Sequence, residues 1–294
     1  MPVVTSWMHP VSDGVSLACR HFLPRGLPRG YVVGIHGIQS HSGWYVESSS
    51  RLAEAGFDVR FFDRRGSGLS GGPPGHARHW ERLANDVASQ LIAVRAERDD
   101  ASPGAPVVLL GLSWGGKLAA AVARLRPELV DGLILLYPGI HAHIRPSWRQ
   151  SLLLRLAELA GVRDRQARIP LEDPALFTSD PARQAEIQQD PLALREATTG
   201  FLIADRELTR LSRGAPGMLN RPTLLMLAGR DRIIDNAAMR RWFARLAAAD
   251  KALQEFPGAA HTLEFEPCRE EFIAGLIDWL SERAPRPEGL APRG

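Results

Sequence analysis

The 294-residue sequence predicts an α/β fold, a mostly parallel sheet flanked by helices, and three observations carry that expectation. Segments that read as strands, most of them apolar, recur at 31–36, 58–63, 107–112, 132–137, 223–228 and 252–256. Segments of helical periodicity fall among them, near 43–55, 80–97, 115–126, 236–249 and 268–282. The run from Val107 to Ala120 passes from an apolar strand through Gly111-Leu112-Ser113-Trp114-Gly115 directly into an Ala-rich helix. Such alternation builds βαβ units, and near-continuous apolar strands belong to a parallel sheet covered on both faces.

Taken from the start, Val11-Ser12-Asp13-Gly14-Val15-Ser16-Leu17 reads as an Asp-Gly hairpin that begins the sheet with an antiparallel edge. The parallel strands follow. Between the strand ending at Tyr137 and the one opening at Thr223 lie about eighty-five residues, far more than a simple crossover needs. That excess predicts a helical cap inserted over the sheet. The expected organisation is therefore a core from 1–138, a cap from 139–220, a second part of the core from 221–283 and a disordered Pro- and Gly-rich tail from 284–294.

Within the cap, Ser151 to Ala160 is an apolar-rich helix candidate whose leucines suit either packing on the core or a lipid-facing surface. Asp180-Pro181 and Asp190-Pro191 each read as an N-cap followed by a first-turn proline of a further helix. Arg163, Arg165 and Arg168 read as a solvated basic loop rather than an anion site.

Ser113 is the candidate nucleophile. A serine on a tight strand-to-helix turn has its hydroxyl lifted above the sheet edge, and Gly111 and Gly115 let strand and helix approach without a clashing Cβ. A serine hydroxyl needs a base to take its proton and an acid to orient that base. The strand 223–228 runs into Gly229-Arg230-Asp231, which puts Asp231 where an orienting carboxylate belongs, outside the carboxyl end of a strand. Asp235 competes, but it precedes Asn236-Ala237-Ala238-Met239 and reads as a helix N-cap. His261, the only histidine after Asp231, sits in the loop Pro257-Gly258-Ala259-Ala260-His261 and is the candidate base.

An acyl-transfer oxyanion needs preorganised N–H donors, one from the residue after the nucleophile and one from the loop after an earlier strand. Trp114 and Ile38 fill those positions. His36, in the same loop, reads as a buttress rather than a second base, since no acidic partner with a strand-end signature accompanies it.

The segments His36 to Tyr45, Gly111 to Gly116, Gly229 to Ile234 and Gly258 to His261 together resemble the monoacylglycerol lipase and lysophospholipase branch of the α/β-hydrolases, a branch catalogued under a serine aminopeptidase (S33) name. The resemblance spans about residues 10 to 283. It implies an α/β-hydrolase fold and a serine-dependent carboxylic ester hydrolase, with Ser113 as nucleophile, Asp231 as acid, His261 as base and the Ile38 and Trp114 amides as oxyanion donors. It also implies a small-molecule, lipid-derived ester substrate and no cofactor. Two departures stand out. The family usually places a small residue at Ile38 and often a methionine at Trp114. The same scaffold also hosts thioesterases, C–C bond hydrolases, peptidases and haloperoxidases, and it can serve as a non-catalytic ligand-binding module.

Other classes are excluded or weakened. With 36 Lys and Arg against 33 Asp and Glu the net charge is only +3, and no dense basic run supports a nucleic-acid partner. Gly66-Ser67-Gly68-Leu69-Ser70-Gly71 matches the letters of a dinucleotide fingerprint, but Gly72-Pro73-Pro74-Gly75 follows and cannot open the helix that would meet a pyrophosphate. His141-Ala142-His143 lacks a third ligand at metal spacing. Cys19 and Cys268 are too few for a disulfide framework. Residues 1–10 lack a basic start and a sustained apolar core, and no later stretch has the length of a membrane span, so the sequence reads as a soluble, cytoplasmic protein.

Overall fold

A computed structural model of the chain describes residues 2–284. The strands are β1 (Val3–Pro10), β2 (Ser16–Leu23), β3 (Gly30–Ile35), β4 (Phe57–Phe62), β5 (Val107–Leu112), β6 (Gly132–Leu136), β7 (Gln166–Arg168), β8 (Glu196–Thr198), β9 (Thr223–Ala228) and β10 (Lys251–Phe256). The α-helices are α1 (Val46–Glu54), α2 (Trp80–Ala101), α3 (Trp114–Leu125), α4 (Trp148–Leu159), α5 (Pro181–Gln189), α6 (Thr199–Arg213), α7 (Asn236–Ala244) and α8 (Arg269–Arg283). The tail expected from 284 lies, from residue 285 onwards, outside the described residues.

Eight of these strands form one sheet in the order β1-β2-β4-β3-β5-β6-β9-β10. From β4 to β10 every pairing is parallel, whereas β1 and β2 add an antiparallel edge. The edge hairpin turns where the Asp-Gly signal lies, with Gly14 at a φ of 82°. Its strands are longer than that signal alone suggested, pairing Val3 with Leu23 through to Pro10 with Ser16.

The apolar runs explain the centre. All six residues of β5 are buried, as are all six of β3, β4 and β9. Each large aliphatic side chain removed from water there is worth about 1.5–3 kcal/mol. Helices α2, α3 and α6 pack together over the sheet, and α1 and α8 pack on each other.

The segment between β6 and β9 holds α4, α5 and α6 and also a small antiparallel pair, β7 with β8, which helical periodicity did not announce. Asp180 does cap α5, accepting the Ala182 N–H at 2.8 Å. Asp190 corrects the parallel expectation. It accepts the Leu192 N–H at 2.9 Å but no helix follows. Its other oxygen is taken by Trp44 and His41, and β8 begins only at Glu196. Helix α4 is capped by Ser147 and Gln150 yet buries no residue. Its leucines therefore do not pack on the core: Leu153 is 64% exposed and Leu159 85%.

Residues 66–71 fold back on themselves, Gly66 N–H donating to the Gly71 carbonyl, and the next helix after them starts only at Trp80. Among the described residues no helix is long and apolar enough to cross a membrane, and no cluster of three His, Cys, Asp or Glu could hold a metal ion. Cys19 and Cys268 are both free thiols.

Candidate active site

Four strands end at one place. Loops leaving the carboxyl ends of β3, β5, β9 and β10 carry Ile38, Ser113, Asp231 and His261, on the edge of a parallel sheet where ligand sites form. Ser113 sits between β5 and α3 with φ 50° and ψ −120°. That is a strained backbone for a residue with a Cβ, and such strain persists only where surroundings enforce it. The surroundings here are close contacts: a Cβ on Gly115 would run into the Ile35 and His36 carbonyl oxygens, and one on Gly116 would lie 2.6 Å from the Pro138 side chain. The Ser113 carbonyl accepts N–H bonds from both Gly116 and Gly139, at 3.0 and 2.6 Å.

The turn places Ser113 Oγ 2.9 Å from His261 Nε2, and His261 Nδ1 lies 2.7 Å from Asp231 Oδ2. A carboxylate can only accept, so Nδ1 carries the ring proton and Nε2 accepts from the serine hydroxyl. Asp231 is fixed in turn, its Oδ1 accepting the Ile233 and Ile234 N–H groups at 2.8 and 2.9 Å. The Asp231 side chain is fully buried and that of His261 is 2% exposed. Asp235 instead accepts the Ala238 N–H at 2.9 Å at the start of α7.

The loop after β3 is held from several sides. His36 is buried, its Nε2 accepting the Arg64 N–H and its Nδ1–H donating to the Gly37 carbonyl, both at 2.8 Å. Burial pushes the His36 pKa down to about 3, so the ring is neutral. Ser40 Oγ accepts the Gly37 N–H at 2.9 Å and lies 2.9 Å from Tyr45 Oη. Neither the Ile38 nor the Trp114 N–H has an acceptor among the described residues. The Trp114 ring stacks on Phe201 and its Nε1–H donates to Asp205 at 2.6 Å, which Lys117 Nζ also reaches at 2.5 Å.

Some neighbours left no signal in the sequence. Tyr137, directly after β6, has φ 37° and sets its ring edge-on to His261 with centroids 4.7 Å apart. Phe177 approaches the same imidazole at 6.0 Å. Glu266 is a buried carboxylate that ties the histidine loop to residues 178 and 179. Its position five residues after His261 is the one local clue. His141 and His143 are built into the backbone around Ile233 and Asp235, the His141 carbonyl accepting from Asp235 N–H.

Comparison with known proteins agrees with this architecture. The family described as serine aminopeptidase, S33, matches residues 26–268. An uncharacterized abhydrolase domain-containing protein of Dictyostelium discoideum is 31% identical over 287 residues, which cover 96% of this chain but only 29% of that one. The chain thus spans less than a third of that relative's length. A monoacylglycerol lipase of Mycolicibacterium smegmatis is 28% identical over 272 residues, covering 91% of this chain and 93% of its own. Among solved structures, the monoacylglycerol lipase of Paleococcus ferrophilus superposes with a TM-score of 0.78 at 27% identity, covering 92% of this chain and 99% of that one. This chain belongs to the serine aminopeptidase, S33 family of α/β-hydrolases, in company with the monoacylglycerol lipases.

Proposed function

We propose that the protein hydrolyses carboxylic esters of small lipid-derived molecules, monoacylglycerols or lysophospholipids, through an acyl-enzyme on Ser113. The observation that carries this reading is the chain of two hydrogen bonds from Ser113 Oγ through His261 to Asp231 on a strained turn. The relatives named monoacylglycerol lipase support the substrate class.

In this mechanism His261 Nε2 takes the hydroxyl proton as Ser113 Oγ attacks the ester carbonyl. The Ile38 and Trp114 amides receive the oxyanion, and Asp231 holds the His261 tautomer and stabilises the imidazolium. His261 then returns the proton to the departing alkoxide. Water, deprotonated by the same nitrogen, attacks the acyl-enzyme and releases the acid. Every step uses groups of this chain, with no cofactor. Residues 139–220 act as a cap over this centre, with α4 standing away from the core.

Labelling with a fluorophosphonate, read by intact mass, tests the proposal. The expected result is one adduct per wild-type chain and none on Ser113→Ala. A folded wild type that takes no label and cleaves no monoacyl ester would overturn it.

A further inference from the structure

Arg64 is a guanidinium withdrawn from water with no carboxylate to meet it. The residue is 6% exposed, and it forms no ion pair among the described residues. Its Nη2 donates to the Ile38 carbonyl at 2.7 Å, while Nε and Nη1 are buried without a partner among those residues. Its Cζ lies 4.9 Å from the ring centroids of both Trp114 and Phe201. Burial lowers its pKa to about 10, partly opposed by the fields of Asp63 and Asp205, so it remains protonated at neutral pH.

Burying an unpaired cation is costly, and aromatic faces recover only part of that cost. A purely structural plug at this position would be better served by an apolar side chain. Of the three groups its guanidinium touches, two are informative: besides the Phe201 ring they are the Ile38 carbonyl and the Trp114 ring, which belong to the two residues whose amides face the reacting carbonyl in the mechanism above. Its main chain acts on the same loop. The Arg64 N–H is accepted by His36 Nε2, and His36 Nδ1–H donates to the Gly37 carbonyl, the oxygen of the very peptide unit that carries the Ile38 N–H. A hydrogen bond at a peptide oxygen polarises the N–H of that peptide.

We propose that Arg64 is a positioning residue for the oxyanion hole, bridging the Ile38 carbonyl to the Trp114 ring so that both donor amides are fixed with a positive charge behind them. The inference rests on Ser113 being the nucleophile. It deepens that reading by naming what makes the hole prefer negative charge over a neutral carbonyl.

The test compares Arg64→Met and Arg64→Lys with the wild type. The readouts are kcat and KM on a p-nitrophenyl ester, the inhibition constant of a trifluoromethyl ketone whose hemiketal oxygen occupies the hole, and thermal melting. Arg64→Met is expected to lose about 10–100-fold in kcat, by analogy with the outer partners that orient the ligands of a metal. KM should stay within about threefold, and the inhibition constant should rise by the same factor as kcat/KM falls. Arg64→Lys keeps the charge but cannot span both contacts, so about a tenth to a third of wild-type kcat and ketone affinity should survive.

A folded Arg64→Met with wild-type kcat and ketone affinity would overturn the assignment, as would a fall in kcat with no change in ketone affinity. If Arg64→Met does not melt cooperatively, Arg64→Lys decides: wild-type values in both readouts would reject the proposal. A wild type that neither cleaves the ester nor binds the ketone would instead sink the Ser113 reading, and the Arg64 role with it.

Discussion

Glu266 receives the backbone N–H of Ala260, the residue before the proposed base, at 2.9 Å through Oε2. Its Oε1 accepts from Thr178 Oγ1 and the Ser179 N–H, at 2.8 and 2.7 Å. The Thr262 N–H completes the seam by donating to the Phe177 carbonyl at 2.7 Å. The histidine loop is thus sewn on both sides of His261 to the segment between β6 and β9.

A glutamine at 266 keeps the size but turns one acceptor into a donor facing another donor. Glu266→Gln is therefore expected to lose about 1–3 kcal/mol of stability and about tenfold in kcat with little change in KM. Chemical denaturation and steady-state kinetics check both. Unchanged stability together with unchanged kcat would show that the seam does not position the base.

The two carboxylates near β9 should separate cleanly. Asp231→Asn is expected to lower kcat by about 10⁴, as it does where the same role has been tested in other triads. Asp235→Ala removes only the bond to Ala238 N–H and should cost about 0.5–2 kcal/mol of stability with activity retained. The opposite pattern in an esterase assay would exchange the two roles.

Two buried groups set opposing pH trends in stability. His36 falls to about 3 when folded, from an ordinary value of 6.5. The unfolded chain therefore binds the extra proton between those limits, and stability present above pH 6.5 drains away as pH falls toward 3, on the order of 4–5 kcal/mol in all. Glu264 behaves in the reverse sense. Burial raises it to about 7, from 4.5. Its contribution is complete below pH 4.5 and is lost as pH rises through 7, by roughly 3 kcal/mol.

Glu264→Gln removes the second trend while keeping an oxygen for the Ser48 N–H that Oε1 accepts at 2.9 Å. Relative to wild type, the variant is expected to gain about 2–3 kcal/mol between pH 5 and pH 8. Urea unfolding at the two pH values measures it. A pH-independent difference would mean that Glu264 does not ionise in this range.

Much of this architecture was legible from local pattern. The six strand segments became β3, β4, β5, β6, β9 and β10 within a residue or so at each end; β3, β5, β6 and β9 are buried throughout and admit few polar interruptions, whereas β4 and the partly exposed edge strand β10 carry charged residues. Asp231 and His261 could be singled out because they lie three and five residues beyond strand ends, a relation carried by the linear sequence. What escaped depends on partners far away along the chain. Asp190-Pro191 has the letters of a helix start, yet Trp44 and His41, nearly 150 residues earlier, decide what Asp190 does. Leu152, Leu153, Leu156 and Leu159 follow a helical rhythm that is the same whether a core or solvent lies beneath. The ring of Tyr137 against His261 and the seam at Glu266 are meetings of separate loops, for which periodicity has no sign.

The elbow at Ser113 has a consequence for how this chain tolerates change. Gly111, Gly115, Gly116 and Gly139 reach no reacting atom through a side chain, yet an added methyl at the first would sit 2.6 Å from the Gly115 carbonyl oxygen, and at the last 3.2 Å from the Trp114 nitrogen. Saturation mutagenesis should find Gly111, Gly115 and Gly116 as unforgiving as Ser113 itself, and Gly139, whose neighbours need give by only a few tenths of an ångström, more tolerant. The site is carved as much by empty volume as by functional groups, and a drift to alanine at any of the first three positions would silence it without touching its chemistry.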